Sequence, residues 1–319
     1  MTPVDSHCPS CGTIFTGPWC AACGERRLGA KLRGLRHYFD EGWQAVSDVD
    51  GRLWKSLWTL LRRPGALTQA WWAGRRRPYL GPIQLFLLIS VTFFLLSPFD
   101  LFSTPLRFHL HLDFFQHKAQ ARELVHRRLA PDLDPEVFFS EVAMLRPLRA
   151  SAAPTAPASH PAVQEKFTRF EAAFDQRSSA LARSLIFVMI PMLALGSWLL
   201  AALLRVPIEP TRHLVHATHF LATTQAIALL MGAVLHPAWL AKALQALGAG
   251  PQVLDMIYSP LFFLLLGAYL VLAARRVWNL AWGRALAHGL GLTLIMLVAW
   301  NGYRALLFFL TFYTLESPA

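Results

Sequence analysis

Charge is scarce in this 319-residue chain. Lys, Arg, Asp and Glu make up 15% of it, against about 25% in ordinary soluble domains. Hydrophobic residues make up 55%, and the mean hydropathy is +0.38. Overall disorder is thereby excluded, because it needs low hydrophobicity and high charge. Cysteine is scarcer still: Cys8, Cys11, Cys20 and Cys23 are the whole set. Four are too few for a disulfide scaffold at this length, and their clustering points to metal ligation in a reducing compartment. A secretory signal is also lacking. Met1-Thr2-Pro3-Val4-Asp5 has no basic start, and the first long apolar run begins at Ile83. There is no phosphate-binding glycine loop, no metallohydrolase helix motif and no nucleophile elbow. Asp and Glu are almost absent from the apolar runs, so no paired-carboxylate site is expected there. An enzyme is the disfavoured reading.

Five apolar runs are present, at 83–99, 185–204, 214–235, 256–274 and 285–310. A bilayer core of about 30 Å takes roughly 20 helical residues. The first run is marginal unless it is extended to 80–102. Backbone polarity in lipid leaves helices as the reading for all five. The expected fold is therefore an all-α integral membrane protein of about five transmembrane helices with a small N-terminal zinc ribbon. Its expected parts are a ribbon at 1–27, a basic Trp-rich surface segment at 28–81 and transmembrane helix one at 82–102. A largely helical extracytoplasmic segment with a Pro/Ala linker follows at 103–184, then spans two to five at 185–310 and a tail at 311–319.

Lys and Arg number 30 against 19 Asp and Glu, a net charge of +11. With the N-terminus inside, the inner loops receive Arg62, Arg63, Arg75, Arg76, Arg77, Arg205, Arg212, Arg275, Arg276 and Arg284, while the short outer loop keeps Lys242. This puts the N-terminus in the cytoplasm and the C-terminus outside. Trp198, Trp239, Trp278, Trp282 and Trp300 lie in or beside the runs, where several suit an interfacial belt.

Chemistry concentrates in Cys8-Pro9-Ser10-Cys11-Gly12 and Cys20-Ala21-Ala22-Cys23-Gly24. Each C-x-x-C turn delivers two thiolates from one tight loop, and two such turns supply the tetrahedron that zinc wants. The glycine after each suits the backbone turn that aims amides at the sulfurs. A closed four-cysteine shell leaves no place for water or substrate, so Zn2+ is expected in a structural role, and binding it is expected to fold the unit. Redox dithiols, or His7 as a substitute ligand, are weaker alternatives.

Between ribbon and first span, residues 51–63 read as an amphipathic helix with Leu53, Trp54, Leu57, Trp58, Leu60 and Leu61 on a broad apolar face. Pro64-Gly65 ends it. Arg62, Arg63, Arg75, Arg76 and Arg77 with Trp71 and Trp72 are expected to contact anionic lipid at the inner leaflet. Packing of these tryptophans on the inner ends of the bundle is the alternative. Basic residues this close to a span, interleaved with tryptophan, favour lipid phosphate over nucleic acid.

The same third of the chain carries a resemblance. After the two knuckles come Asp50-Gly51-Arg52-Leu53, then Leu60-Leu61-Arg62-Arg63-Pro64-Gly65, then Gly74-Arg75-Arg76-Arg77-Pro78-Tyr79-Leu80-Gly81-Pro82. This resembles an uncharacterised bacterial family of multipass membrane proteins with an N-terminal four-cysteine zinc ribbon, a domain of unknown function. That family follows its ribbon with Leu-x-x-x-Pro, here Leu60 and Pro64, and with Gly-Lys/Arg-Arg-x-x-Tyr-x-x-Pro, here Gly74, Arg75, Arg76, Tyr79 and Pro82. The likeness covers about residues 8–95. It implies a bacterial inner-membrane protein and no particular activity.

Polar groups inside spans are functional candidates because lipid makes them costly. His213, His216 and His219 recur at the inner end of span three, His288 enters span five, Gln225 falls mid-membrane, and Asn301 and Arg304 lie in the outer half of span five. These seven form a speculative intramembrane site: a metal, haem or proton site for the four histidines, a transport or lipid site for Gln225, Asn301 and Arg304, and one cavity lined by all seven in a transporter or lipid-handling protein. The plain alternative is inter-helix or interfacial hydrogen bonding. Pro191 and Pro260 fall inside spans. Outside, Phe167, Phe170, Phe174 and Leu181 recur at helical steps, so span two is expected to continue outward. His109 and His111 are expected on one side of an extended segment, with His117 beyond. The leading functional reading is a non-enzymatic inner-membrane protein whose cytoplasmic ribbon docks a protein partner or regulates. A transporter or lipid-handling protein comes second, and a membrane-bound enzyme third.

Overall fold

The computed structural model describes residues 7–26, 51–96, 102–112, 115–143, 160–205, 209–235 and 252–315. Residues 28–50, the bulk of the Pro/Ala linker, and Trp239 and Lys242 lie outside the described residues. Among those described, all regular structure is helical apart from two isolated antiparallel bridges, His7 with Ile14 and Trp19 with Arg26. The helices are α1 (Arg52–Arg62), α2 (Ala66–Trp72), α3 (Pro82–Leu96), α4 (Leu106–His111), α5 (Lys118–Leu129), α6 (Pro135–Ala143), α7 (Pro161–Leu203), α8 (Pro210–Leu235), α9 (Gln252–Val277) and α10 (Trp282–Thr314). Four of them, α7 to α10, are long and apolar enough to cross a membrane. The described part of the first apolar run forms the shorter α3, whose 15 residues span about 22 Å at about 1.5 Å each. Among the described residues, four long apolar helices and one shorter one thus stand where five spans were expected. The chain divides into two compact units, Met1–Phe99 with Val188–Ala299, and Asp100–Phe187 with Trp300–Ala319.

In the first unit α8 is the central helix. Within its candidate span 72% of the most apolar window is buried, against 33–39% in α7, α9 and α10. α3 lies along it, and α9, α2 and α1 also touch it. Its polar residues are accommodated locally, since Thr218, Thr223 and Thr224 donate to the carbonyls of Leu214, Phe220's neighbour His219, and Phe220 at 2.8–3.0 Å. The outer faces are apolar: Leu195, Leu199 and Leu203 on α7, and Leu286, Leu290, Leu294 and Val298 on α10, are all more than half exposed. Such stripes at four-residue steps suit lipid rather than water. Helices also approach closely through small residues, as helices in lipid do. A Cβ on Gly289 of α10 would come within 2.7 Å of the Val271 backbone on α9.

The N-terminal side of this unit is a platform. α1 ends at Pro64-Gly65 as the sequence indicated, and Gly65 sits at φ +76°, where a side chain is strained. Ser56, Thr59 and Leu60 form the buried face of α1, while Trp54 and Trp58 are 76% and 60% exposed. Ser56 Oγ donates to the Arg52 carbonyl at 2.8 Å and accepts the Leu80 amide at 2.9 Å. That pair of bonds ties α1 to the entry of α3.

The second unit is built on phenylalanine. Phe138, Phe139, Phe167, Phe170, Phe174, Phe308 and Phe312 bury together with Leu106, Leu110 and Val125. α7 does run on past its apolar run, with Phe167, Phe170 and Phe174 inward; Ala182 rather than Leu181 is the fully buried residue at the next turns. Glu171 pairs with Arg107, and Asp175 accepts the Leu106 amide at 2.8 Å, so α7 holds the start of α4. α10 continues to Thr314, beyond the expected tail boundary at 311, because Phe312 is core and Arg128 donates to the Phe312 and Leu315 carbonyls. α4 also corrects the expected extended segment. Two residues apart on a helix face nearly opposite ways, so His109 is fully buried and His111 is exposed.

Candidate metal centre

Each knuckle closes the same way. Gly12 N donates to Cys8 O at 2.8 Å and Cys8 N to Thr13 O at 2.7 Å. Gly24 N donates to Cys20 O and Cys20 N to Glu25 O at the same two distances. Gly12 and Gly24 have φ of +78° and +70°, the left-handed conformation this turn demands. The two turns face each other, with Cys8 Sγ 3.5 Å from Cys23 Sγ and Cys11 Sγ 3.5 Å from Cys20 Sγ. All four sulfurs lie within 4.8 Å of one another. A tetrahedral ion bound at about 2.3 Å, the zinc–sulfur distance, holds its thiolates about 3.8 Å apart. The donor set therefore fits a metal ion in both chemistry and spacing. Cys8 and Cys20 are buried while Cys11 is exposed. Hydrogen bonding to Thr13 lowers the Cys11 thiol to about 6, and desolvation pushes Cys23 up to about 12. A bound dication stabilises both as thiolates.

The ribbon is seated on the platform by one carboxylate that the sequence did not single out. Glu25 is 4% exposed. Its Oε2 accepts from Ser10 Oγ at 2.6 Å, from Arg77 N at 2.9 Å and from Arg76 N at 3.1 Å. One acid thus joins the first knuckle, the second knuckle and the turn at 74–79. Gly24 packs under the Arg77 guanidinium, where a Cβ would stand 3.4 Å from Nη2. The sole signal in the sequence was position, an acid directly after the second knuckle.

The residues expected at a lipid surface divide. Arg62, Arg63, Arg75 and Arg77 are exposed, and Arg62 lies over the Trp58 ring at 3.6 Å. Trp71 is 4% exposed and packs with Val215 of α8, so it takes the inner-end packing alternative rather than lipid contact. Arg76 follows it inward, 4.0 Å over its ring, and Trp72 is half-buried beneath Arg212. Among the tryptophans expected at interfaces, Trp282 is exposed under Arg275, whereas Trp278 is buried.

The speculative intramembrane set also divides. His213, His216, His219, Gln225 and His288 belong to the first unit, Asn301 and Arg304 to the second. Three of the seven meet: His213 stacks on Trp278 at 5.2 Å, His216 meets it edge-on at 4.9 Å, and His288 lies 4.6 Å away. An indole therefore occupies the middle of that cluster. His213 Nδ1 bonds Ser197 Oγ at 2.8 Å, His219 Nδ1 bonds Thr68 Oγ1 at 2.9 Å, and Gln225 Oε1 accepts from Ser90 Oγ at 2.9 Å. Arg304 lies over the rings of Phe115 and Trp300. Among the described residues, the four cysteines are the only group of three or more Cys, His, Asp or Glu side chains placed to hold a metal ion. The intramembrane histidines do not form such a group. Of the other histidines singled out, His109 and His117 bond each other at 2.8 Å while His111 is exposed.

Long apolar helices beside a four-cysteine centre define a multipass α-helical membrane protein with an N-terminal metal-binding module. Residues 50–94 match the model of a family described as a protein of unknown function, DUF3667. The matched stretch is the platform plus most of α3. With the cysteine cluster before it and the apolar helices after it, the match fits the uncharacterised multipass family that the motifs resembled. No curated protein and no solved structure matches the chain.

Proposed function

We propose that this is a non-enzymatic protein of the bacterial inner membrane whose zinc ribbon, on the cytoplasmic side, serves as a docking or regulatory module. In this reading the N-terminus is cytoplasmic and the C-terminus extracytoplasmic. Zinc is the metal that four thiolates at this spacing suit best, and its role is structural. The observation that carries the reading is the Glu25 clamp, which holds the ribbon in a fixed orientation on the platform. A module held this way presents a constant surface, and Ile14 and Trp19 stand on it 57% and 56% exposed. Trp54 and Trp58, exposed on α1 beside Arg62, supply an aromatic and basic contact to anionic lipid.

The test is partner recovery by in-cell photocrosslinking from position 14 of the full chain. A discrete crosslinked protein that is lost with Cys8→Ser and kept with Gln225→Ala supports docking. Unchanged recovery with Cys8→Ser overturns it. A reporter at each terminus checks orientation, and a cytoplasmic signal from the C-terminal reporter overturns the five-crossing topology.

A further inference from the structure

Between ribbon and platform the first unit contains a cavity of about 440 Å³. Its wall includes Ser10 of the first knuckle, Lys55 and Thr59 of α1, Arg63 at the C-cap of that helix, Arg75 of the turn and Arg276 at the end of α9. Among the described residues, four cations line it and no carboxylate does. Glu25, the acid that seats the ribbon, is engaged with Ser10 and two backbone amides and is not among the lining residues. Lys55 and Thr59 stand one four-residue step apart on one side of α1, and Arg63 follows at its C-cap. Arg276 is tied by one N–H, which donates to the Pro64 carbonyl at 2.7 Å. Lys55 rests 5.5 Å over the Tyr79 ring.

Bringing four like charges to one concavity is unfavourable by itself, and field lines focused in a cleft draw in a counter-ion. Guanidinium forks and an ammonium, with hydroxyl and amide donors between them, are the donor set that phosphate oxygens match. We propose that this cavity binds an oxyanion of phosphate chemistry, either the headgroup of an anionic phospholipid or a soluble phosphorylated molecule. The volume suits a ligand of headgroup size. The proposal goes beyond the docking reading and does not depend on it. It assigns Lys55 and Arg276, absent from the surface set read in the sequence, to one site with Arg63 and Arg75.

The full-length protein is placed in nanodiscs of phosphatidylcholine alone, or of phosphatidylcholine with phosphatidylglycerol, and retained anions are counted by native mass spectrometry. Inorganic pyrophosphate is the soluble probe, titrated into the phosphatidylcholine discs. The variant Lys55→Gln/Arg75→Gln removes two exposed cations from the cavity. Arg127→Gln/Arg169→Gln removes two exposed cations of the other unit as the charge-matched control. Wild type and control are expected to retain the anion, and the cavity variant at least about tenfold less, the scale of a lost charge-assisted contact. Pyrophosphate retained in phosphatidylcholine discs assigns a soluble ligand, and phosphatidylglycerol retained alone assigns the lipid headgroup. The proposal is overturned if the wild type retains neither, or if the cavity variant retains as much as the control. Metal content measured on the same variants shows that the ribbon is intact, so this result and the fate of the docking reading are separable.

Discussion

The Glu25 carboxylate accepts hydrogen bonds from the backbone amides of Arg76 and Arg77, residues 51 and 52 positions further along the chain. A small metal unit cannot bury a core of its own, and this contact gives it one fixed seat. Since backbone amides are the donors, the contact requires the chain path of the turn and no particular side chain there.

Replacing Glu25→Ala removes the acceptor and leaves Ser10 and both amides without it. Bonds to a charged group are worth about 1.5–3 kcal/mol each, so the ribbon is expected to leave its seat while keeping its metal. Hydrogen exchange at the Arg76 and Arg77 amides should then accelerate by roughly tenfold or more. Unchanged protection would mean that other contacts hold the ribbon.

Gly65 links α1 to α2 with a positive φ and its would-be Cβ 2.9 Å from the Ala273 carbonyl of α9. Both the conformation and the space exclude a side chain. Gly65→Ala is expected to cost about 1–3 kcal/mol and to lower the thermal midpoint in detergent. The same change at Gly51, which has open space around its Cβ position, should have a much smaller effect.

Ser90 and Gln225 join α3 to α8 through one bond at 2.9 Å, both residues being buried. Ser90→Ala leaves the Gln225 carbonyl oxygen without its donor. A loss of about 0.6–2 kcal/mol is expected, the range for hydrogen bonds between helices in lipid. Resistance to denaturing detergent reads it, and Ser90→Thr should restore most of it.

In the second unit burial, reinforced by the charges of His117 and Arg304, lowers His109 from 6.5 to about 3, and burial also lowers His117. The folded unit therefore holds His109 neutral where the unfolded chain protonates it. Its full stability is present above about pH 6.5 and is lost progressively as pH falls from 6.5 towards 3. At pH 5 the loss from His109 alone is about 2 kcal/mol. Hydrogen exchange at Leu110 and Phe138, corrected for intrinsic rates, should report it. His109→Leu should flatten the profile, and a pH-independent wild type would contradict it.

Much of this was legible in the sequence because local rules decide it. The C-x-x-C-G spacing determines the knuckles, Pro64-Gly65 ends α1, and the steps from Phe167 to Phe174 carry α7 past its apolar run. What stayed hidden depends on where distant segments meet. Nothing local tells Glu25 that two amides wait beyond residue 75, or tells Trp71 that α8 covers it. The alternation of His109 and His111 suggests an extended segment, but Leu106 and Leu110 share one apolar core, and a four-residue step puts both there on a helix. Trp278 looked interfacial by position and is instead the indole around which His213, His216 and His288 gather.

The most direct test of the metal-centred reading is the zinc content of the full-length protein purified in detergent, measured per chain beside Cys8→Ser and Cys20→Ser. One zinc per chain in the wild type, absent from both variants, is the expected result. A wild-type chain that carries no zinc, or variants that keep it, would contradict the four-cysteine centre on which the seated ribbon rests.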